Sequence, residues 1–319
     1  MAKNNGKFTL FFMLFILALT LCLVIGMDKC EFATKKVAFD SNCKVADYDI
    51  DNKSDNNFLS MSKTSTKDVA SGKKIELLCL MYHNVVGNTQ KQGNYEVKQS
   101  VLEEDFKELK KLGYKCVDRK SLFDIVNKKQ TGKYVMITFD DGFYGVYKYV
   151  PSLLEKYDMK CLVSVVGEFM DRQDKLTYRT RCSYMNTNEV RELAKNKRVE
   201  IAHHSYNFHH IQDGRRGVKI KKDETNDKYT QVFKEDTQKL TSKLNGLGVK
   251  VKTYCYPYGE FCRESERVLK GLNYQMTMTC VEKVNYLENK NSLFLLGRIN
   301  RSANYQNITN LINKACNKK

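Results

Sequence analysis

The chain has 319 residues, with 54 Lys plus Arg against 37 Asp plus Glu and a formal net charge of +17. Such a charge favours polyanionic partners, but the lysines are spread along the chain and no basic run is interleaved with aromatics, which argues against a nucleic-acid-binding module. Hydrophobic residues make up 42% of the chain, enough for one large globular domain at this length. The composition therefore favours an anionic cell envelope as the environment.

An uncharged apolar segment lies near the N-terminus, at residues 8–26. As a helix it would measure roughly 28 Å, close to the thickness of the hydrocarbon core of a bilayer. Lys3 and Lys7 precede it, so the positive-inside rule places the following residues outside the cytoplasm. No small-x-small cleavage motif follows. We therefore predict that residues 1–27 are a transmembrane anchor or signal segment of a single-pass cell-membrane protein, secreted if the segment is cleaved.

Residues 28–74 are rich in Lys, Asp, Asn, Ser and Thr, and their apolar residues stand singly. This composition is typical of a flexible tether. The chain has 11 cysteines but no Cys-x-x-Cys pair, which disfavours a thiolate zinc site. In an oxidising compartment some of these cysteines would pair, with a connectivity that the sequence leaves open.

From Ile75 onward, short apolar runs alternate with longer amphipathic stretches. We predict strands at 75–82, 134–139, 161–166, 199–202, 252–256 and 293–299, and helices at 101–112, 120–128, 144–157, 187–196, 219–245 and 262–271. Ser100 with Glu103, and Asn186 with Glu189, have the spacing of a capping box. The alternation predicts parallel strands in a doubly wound sheet or a β/α barrel, with function at the carboxyl ends of the strands.

The five histidines of the chain are concentrated, since four of them fall within eight residues. They are His83, His203, His204, His209 and His210. A cluster directly after an apolar strand-like run is typical of a metal site, because neutral imidazole is the commonest metal ligand. The alternative interpretation is a solvated His-rich turn.

Two further motifs follow predicted strands. Asp140 and Asp141 end an apolar run and precede Gly142, and adjacent carboxylates that point to different sides can take different tasks. Residues 256–259 read YPYG. Pro257 restricts the backbone there, so the Tyr258 amide could be held in the direction that an oxyanion requires. Alone, either motif could be an ordinary turn.

Taken together, four ordered motifs resemble the polysaccharide deacetylases of carbohydrate esterase family 4, the NodB homology domain. They are LMYH at 80–83, ITFDDG at 137–142, HSYNFH at 204–209 and YPYG at 256–259. The resemblance spans roughly residues 75–316, and each motif lies at a predicted strand end. The spacing from His204 to His209 is similar to that in the bacterial branch that acts on poly-N-acetylglucosamine and related envelope polymers.

The resemblance implies an α/β fold, a distorted (β/α) barrel of the NodB type, for a catalytic domain at residues 75–319. It implies that Asp141, His204 and His209 bind a divalent metal, with zinc expected and cobalt or nickel also suited to these ligands. It makes Asp140 the catalytic base and the Tyr258 backbone amide the oxyanion donor. The implied reaction removes N-acetyl groups, as acetate, from N-acetylglucosamine-type residues of peptidoglycan or poly-N-acetylglucosamine.

Two positions depart from the family pattern. Many members have an arginine before the Pro-Tyr-Gly turn that orients the base, whereas this chain has Tyr-Cys-Tyr at 254–256. Arg298 stands where a histidine would supply the general acid, and an arginine is a poor proton donor. His83, or Asp140 acting twice, would then protonate the leaving amine, and the sequence does not rank them. We expect His203 and His210 to flank the ligands without binding metal.

Two other functions compete with this hypothesis. The missing acid would suit an inactive envelope-polysaccharide-binding protein of the same fold, although intact paired carboxylates and histidines argue against it. A metal hydrolase acting on another acyl or phosphoryl substrate would use the same ligands. The sequence leaves the polymer, the sugar and the oligomeric state open.

Overall fold

The computed structural model describes residues 74–303 and 307–317. No helix within these ranges is long and apolar enough to cross a membrane. The predicted anchor at 1–27 and nearly all of the predicted tether at 28–74 lie outside the described residues. Both therefore stay predictions.

The described part alternates strands and helices. The strands are β1 Ile75–Tyr82, β2 Asn84–Val86, β3 Glu96–Lys98, β4 Lys115–Cys116, β5 Gly132–Phe139, β6 Cys161–Val165, β7 Val199–His203, β8 Ile211–Gln212, β9 Arg215–Arg216, β10 Thr253–Cys255, β11 Met276–Met278, β12 Asn285–Leu287 and β13 Ile299–Asn300. The helices are α1 Gln99–Lys111, α2 Arg119–Asn127, α3 Tyr144–Tyr157, α4 Gly167–Asp174, α5 Thr187–Leu193, α6 Asn226–Gly246, α7 Arg263–Gly271 and α8 Ile308–Asn317. Two 3₁₀ helices span Pro257–Gly259 and Lys290–Leu293.

The main sheet has the strand order β11-β10-β7-β6-β5-β1-β12, with β13 beside β1 and β4 beside β5. Its pairs are parallel except for β1 with β12, which is antiparallel. A bridge between Met278 and Leu296 links the β11 end of the sheet to the segment that leads into β13. The sheet therefore curls into a distorted, incomplete barrel, which agrees with the predicted α/β class.

The core explains why the two central strands were recognisable from their sequence. β1 and β5 pair in register over their whole length, from Ile75 opposite Gly132 to Tyr82 opposite Phe139. Both are almost entirely buried, as strands covered on both faces must be, so they read as continuous apolar runs. Leu122 of α2 packs into the same core as these strands. Burying one such leucine contributes about 1.5–3 kcal/mol.

The predicted helix starts met different outcomes. The capping box of Asn186 and Glu189 is confirmed. The one at Ser100 is wrong, because α1 starts at Gln99, two residues earlier than predicted, and its N-cap residue Lys98 makes no side-chain cap. Glu103 instead accepts hydrogen bonds from the side chains of Lys156 and Tyr157.

The strand predicted at 293–299 is also wrong. Its beginning lies in a 3₁₀ helix, and only Ile299 belongs to a strand. Leu295 adopts a φ of 58°, which no extended strand allows. The Asn285 side chain donates to the Gly297 carbonyl and accepts from its N–H, so a tertiary polar contact, invisible in the apolar pattern, shapes this segment.

Candidate active site

The predicted site residues lie at one edge of the sheet. Asp140 and Asp141 follow β5, His204 follows β7, and the turn that contains Tyr258 follows β10. These strands are parallel and lie close together in the order β5-β6-β7-β10. Because the carboxyl ends of parallel strands share an edge, the fold brings together residues distant in sequence.

The backbone turns sharply after β5. Asp141 has a φ of 69° and Gly142 a φ of 74°, and the left-handed region costs a non-glycine residue about 1–2 kcal/mol. A Cβ on Gly142 would lie 3.1 Å from a side-chain carbon of Val165. The turn re-aims the Asp141 carboxylate, and its tight packing favours glycine at the next position.

Asp141, His204 and His209 form a buried triad. Asp141 Oδ1 lies 3.0 Å from His209 Nε2 and 3.3 Å from His204 Nε2, and one potential ligand atom from each of the three residues lies within 4.8 Å of the other two. Within the described residues, Asp141 Oδ1 and His209 Nε2 are buried and make no hydrogen bond of good geometry. Two atoms bound tetrahedrally to zinc are about 3.3 Å apart. The spacing and the unpartnered atoms therefore fit a divalent metal.

His204 is oriented by a backbone carbonyl. Its Nδ1 lies 2.7 Å from the Cys255 oxygen, which can only accept, so Nδ1 carries the proton and Nε2 keeps its lone pair on the side of Asp141. The His204 N–H donates to the Val165 carbonyl at 3.0 Å. Strands β6 and β10 thus fix both the tautomer and the position of this ligand.

The loop between the two histidine ligands is held by helix α6. The Asp236 carboxylate accepts hydrogen bonds from the backbone N–H groups of Tyr206 and Asn207, each with an N···O distance of 2.8 Å. Burial raises the pKa of Asp236 to about 6, although both N–H groups oppose this shift. Asp236 therefore sets where His209 lies relative to His204.

His203 has a structural environment. Its Nε2 lies 3.1 Å from the Thr237 carbonyl oxygen, and its Nδ1 accepts the Ser205 N–H at 3.0 Å. Burial lowers its pKa to about 3, so the ring is neutral and both nitrogens are engaged by protein groups. Neither His203 nor His210 belongs to the ligand triad.

Asp140 lies beside the triad and is bound by Arg298. The guanidinium donates to Oδ1 at 2.8 Å and to Oδ2 at 2.7 Å, and Ser164 Oγ donates to Oδ1 at 2.7 Å. Oδ2, which accepts only one of these bonds, lies 4.0 Å from His204 Nε2. Since a carboxylate oxygen can accept twice, Oδ2 keeps a lone pair on the side of the metal ligands.

The Arg298 pair also sets the charge of Asp140. Burial alone would raise the pKa of this carboxyl, but the positive charge and hydrogen bonds of Arg298, together with the nearby His204 and His83, outweigh burial and lower the pKa well below its usual range. Arg298 is itself anchored to the Thr279 carbonyl at 3.0 Å. Arg298, which stands in the position of the expected general acid, therefore contacts Asp140 as the missing base-orienting arginine was expected to. Sequence reasoning missed this pairing and that of Ser164, and an arginine within an apolar run was the only signal for it.

A cavity opens beside these groups. Its lining includes Met81, His83, Asp140, His204 and Tyr258. His83 is 5% exposed, and burial lowers its pKa despite the nearby carboxylates. Tyr258 has a φ of 58°, and its ring centroid lies 4.9 Å from that of His209. The structure thus places both residues at the cavity, while the roles of the Tyr258 amide and of His83 stay predictions.

The parallel α/β barrel, with a buried Asp next to an Asp-His-His triad, agrees with the NodB-type fold that the sequence predicts. Residues 127–277 match the family model described as polysaccharide deacetylase. A poly-β-1,6-N-acetyl-D-glucosamine N-deacetylase of Escherichia coli K12 is 28% identical over 230 residues, covering 63% of this chain and 33% of that protein. The chain therefore spans about a third of the length of this relative.

Two solved structures share the fold. Streptococcus pyogenes deacetylase PplD, in complex with acetate, matches 76% of this chain and 99% of its own with a TM-score of 0.60 and 18% identity. A de-N-acetylase from Aggregatibacter actinomycetemcomitans matches 74% and 99% with a TM-score of 0.61 and 23% identity. These likenesses show a shared fold, and residues 127–277 are similar to the polysaccharide deacetylase family.

Proposed function

We propose that this protein is a metal-dependent N-deacetylase of N-acetylglucosamine-type residues in an extracellular or cell-wall polysaccharide. The observation that carries the proposal is the Asp140–Arg298 pair held beside the Asp141, His204 and His209 triad. A binding protein would have no use for a carboxylate fixed in this position, whereas a hydrolase needs a base there. The poly-N-acetylglucosamine deacetylase from Escherichia coli, the relative reported above, supports this class of substrate.

The chain's own residues divide the work. A divalent metal held by Asp141, His204 and His209 would polarise the acetamide carbonyl and lower the pKa of a bound water. Asp140 takes the proton of the attacking water at Oδ2, the oxygen with the open lone pair. Arg298 and Ser164 keep the carboxylate aimed while it does so. The Tyr258 amide donates to the developing oxyanion.

The leaving amine then needs a proton. Arg298 is excluded as its source, because an arginine does not deprotonate in proteins and this one is bound to Asp140. His83 and Asp140 line the same cavity, and both stay candidates. A His83→Gln variant that loses kcat on an amide, but keeps it on an ester with a good leaving group, would assign the proton to His83.

The central experiment measures bound metal and acetate release by the full chain from N-acetylglucosamine oligomers and from peptidoglycan. Asp140→Asn should abolish release and retain metal, whereas His204→Ala should lose both. Removal of the metal with a chelator should stop release, and zinc, cobalt or nickel should restore it. His210→Ala is the matched control, because this neighbouring histidine lies outside the triad.

Two results would contradict the proposal. Metal binding without acetate release from any N-acetylated sugar would favour the polysaccharide-binding protein. Release of another acyl or phosphoryl group in its place would favour the broader hydrolase. A panel of O-acetyl esters, N-acetyl amides and phosphate esters separates these outcomes.

A further inference from the structure

Two polar side chains of the active-site cavity have no task in the reaction described above. Glu260 and Asn300 line the same cavity as Asp140 and His204. Glu260 follows the 3₁₀ turn after β10, and Asn300 lies in β13. Neither belongs to the metal-ligand triad. Their polar groups border the space that a substrate must enter.

Asn300 presents an unsatisfied acceptor. Its Oδ1 is buried, and within the described part of the chain it has no hydrogen-bond partner. Its backbone is fixed by the parallel pairing of β13 with Met81 of β1, which places it on the rim of the barrel. A buried acceptor is costly to leave without a donor. A ligand hydroxyl in the cavity would supply one.

Glu260 presents a second acceptor beside a donor. Its carboxylate oxygens lie 3.5 Å from Arg216 Nε and 4.0 Å from Lys219 Nζ. These distances are ion pairs but too long for good hydrogen bonds, so neither contact saturates the carboxylate oxygens of Glu260. Arg216 lines the same cavity, with its guanidinium 5.5 Å from the ring centroid of Tyr258.

The β8–β9 hairpin that carries Arg216 is seated on the Tyr258 turn. Gly217, directly after the hairpin, has a φ of 56°. A Cβ added there would lie 2.7 Å from the Pro257 carbonyl oxygen and 3.1 Å from the Tyr258 ring. This close approach holds the donor of Arg216 next to the acceptor of Glu260.

We propose that Glu260 and Asn300 form a subsite for hydroxyl groups of an N-acetylhexosamine ring. A sugar hydroxyl is a donor, so the Glu260 carboxylate accepts from one hydroxyl and Asn300 Oδ1 accepts from another. The inference rests on the proposed deacetylase function and adds its specificity-determining residues. A site built to bond hydroxyls rejects analogues without them, because its polar groups are then left unpaired.

The test compares two substrates of the full chain. One is an N-acetylglucosamine tetramer, and the other is 4-nitrophenyl acetate, an acetyl ester without hydroxyl groups. We expect the ratio of their kcat/KM values to fall about 3- to 10-fold in Asn300→Ala and about 10-fold or more in Glu260→Ala, mainly through the KM of the sugar. Glu260→Gln keeps an acceptor oxygen and should recover part of the ratio. Asn291→Ala and Glu288→Ala, at exposed positions away from the cavity, are the matched controls.

The outcomes separate the two proposals. A native chain that releases acetate from the tetramer, with ratios unchanged in the Asn300 and Glu260 variants, overturns the subsite alone. Equal losses on both substrates also overturn it, because they place the residues in the hydrolytic step. If the native chain cleaves no N-acetylglucosamine substrate, the deacetylase proposal fails and the subsite fails with it. The Tm of Asn300→Ala should not fall, since the Oδ1 that is removed has no partner within the described residues, and a fall of several degrees would assign Asn300 a structural role instead.

Discussion

Replacement of Arg298 by methionine tests the most deeply buried contact of the site. Arg298 is 0% exposed and Asp140 is 2% exposed, and two charge-assisted hydrogen bonds join them at 2.8 and 2.7 Å. Removal of one partner of a buried ion pair leaves an uncompensated charge and costs about 3–5 kcal/mol. We therefore expect Arg298→Met to lower the free energy of unfolding by about that amount and to abolish acetate release.

A double-mutant cycle assigns this cost to the pair. Urea unfolding would be measured for the native chain, Arg298→Met, Asp140→Asn and the double variant. Because the double variant carries neither charge, we expect it to be more stable than the sum of the single effects predicts, by about 3 kcal/mol.

Arg301 provides a matched control elsewhere in the barrel. It binds the Asp105 carboxylate through two nitrogens at 2.8 and 3.1 Å and is equally buried. Arg301→Met should destabilise the chain by a similar amount, yet folded protein should still release acetate at conditions where it is stable. The reasoning would be refuted if Arg298→Met lowered the free energy of unfolding by less than about 1 kcal/mol, or if the two single effects added up to that of the double variant.

Three further predictions concern stability. Burial raises the pKa of Asp236 to about 6, so the Asp236 carboxyl binds its proton more tightly in the folded chain than in the unfolded chain. The stability that this group contributes is therefore greatest below about pH 4 and is lost as the pH rises to about 6. Between those pH values the free energy of unfolding of Asp236→Asn should therefore rise by up to about 3 kcal/mol relative to that of the native chain, in urea titrations of metal-free protein. A difference between the two chains that does not change with pH would contradict this. Gly259→Ala should cost about 1–3 kcal/mol more than Gly248→Ala, because both have positive φ but only at Gly259 would a Cβ meet backbone, 2.6 Å from the Cys280 nitrogen. Leu77→Ala, at a fully buried core position, should cost about 2–5 kcal/mol in the same assay while the bound metal is retained, since it leaves a cavity away from the ligands.

The parts of the fold that the sequence predicts are those with strong local patterns. The β1 and α3 bounds agree with the predicted ranges, because one is a long apolar run and the other an amphipathic repeat. Strands of two or three residues such as β11 and β12 carry no readable period. Buried Asn285 lies in β12 and donates to the Leu77 carbonyl, so this strand is defined by tertiary hydrogen bonds.

In the candidate active site, too, the sequence predicts the residues of local motifs and misses the contacts between distant parts of the chain. Motif residues that follow strands could be placed at one edge of a parallel sheet, and the structure brings Asp141, His204 and His209 together there. The task of Arg298 could not be predicted, because its partner lies 158 positions earlier in the chain and neither local pattern refers to the other. Its family position even indicated a different role, that of an acid.

The sequence distance between Asp140 and Arg298 has a consequence for chain integrity. The three proposed metal ligands precede β12, whereas Arg298 follows it. Residues 288–291, which lie between β12 and Arg298, are exposed. A protease cut in this segment leaves the three proposed metal ligands on the longer fragment and Arg298, which binds Asp140, on the shorter one. If the two fragments are then separated, we expect the longer one to keep the proposed metal ligands and to lose the arginine that binds Asp140, so that metal content and acetate release would part.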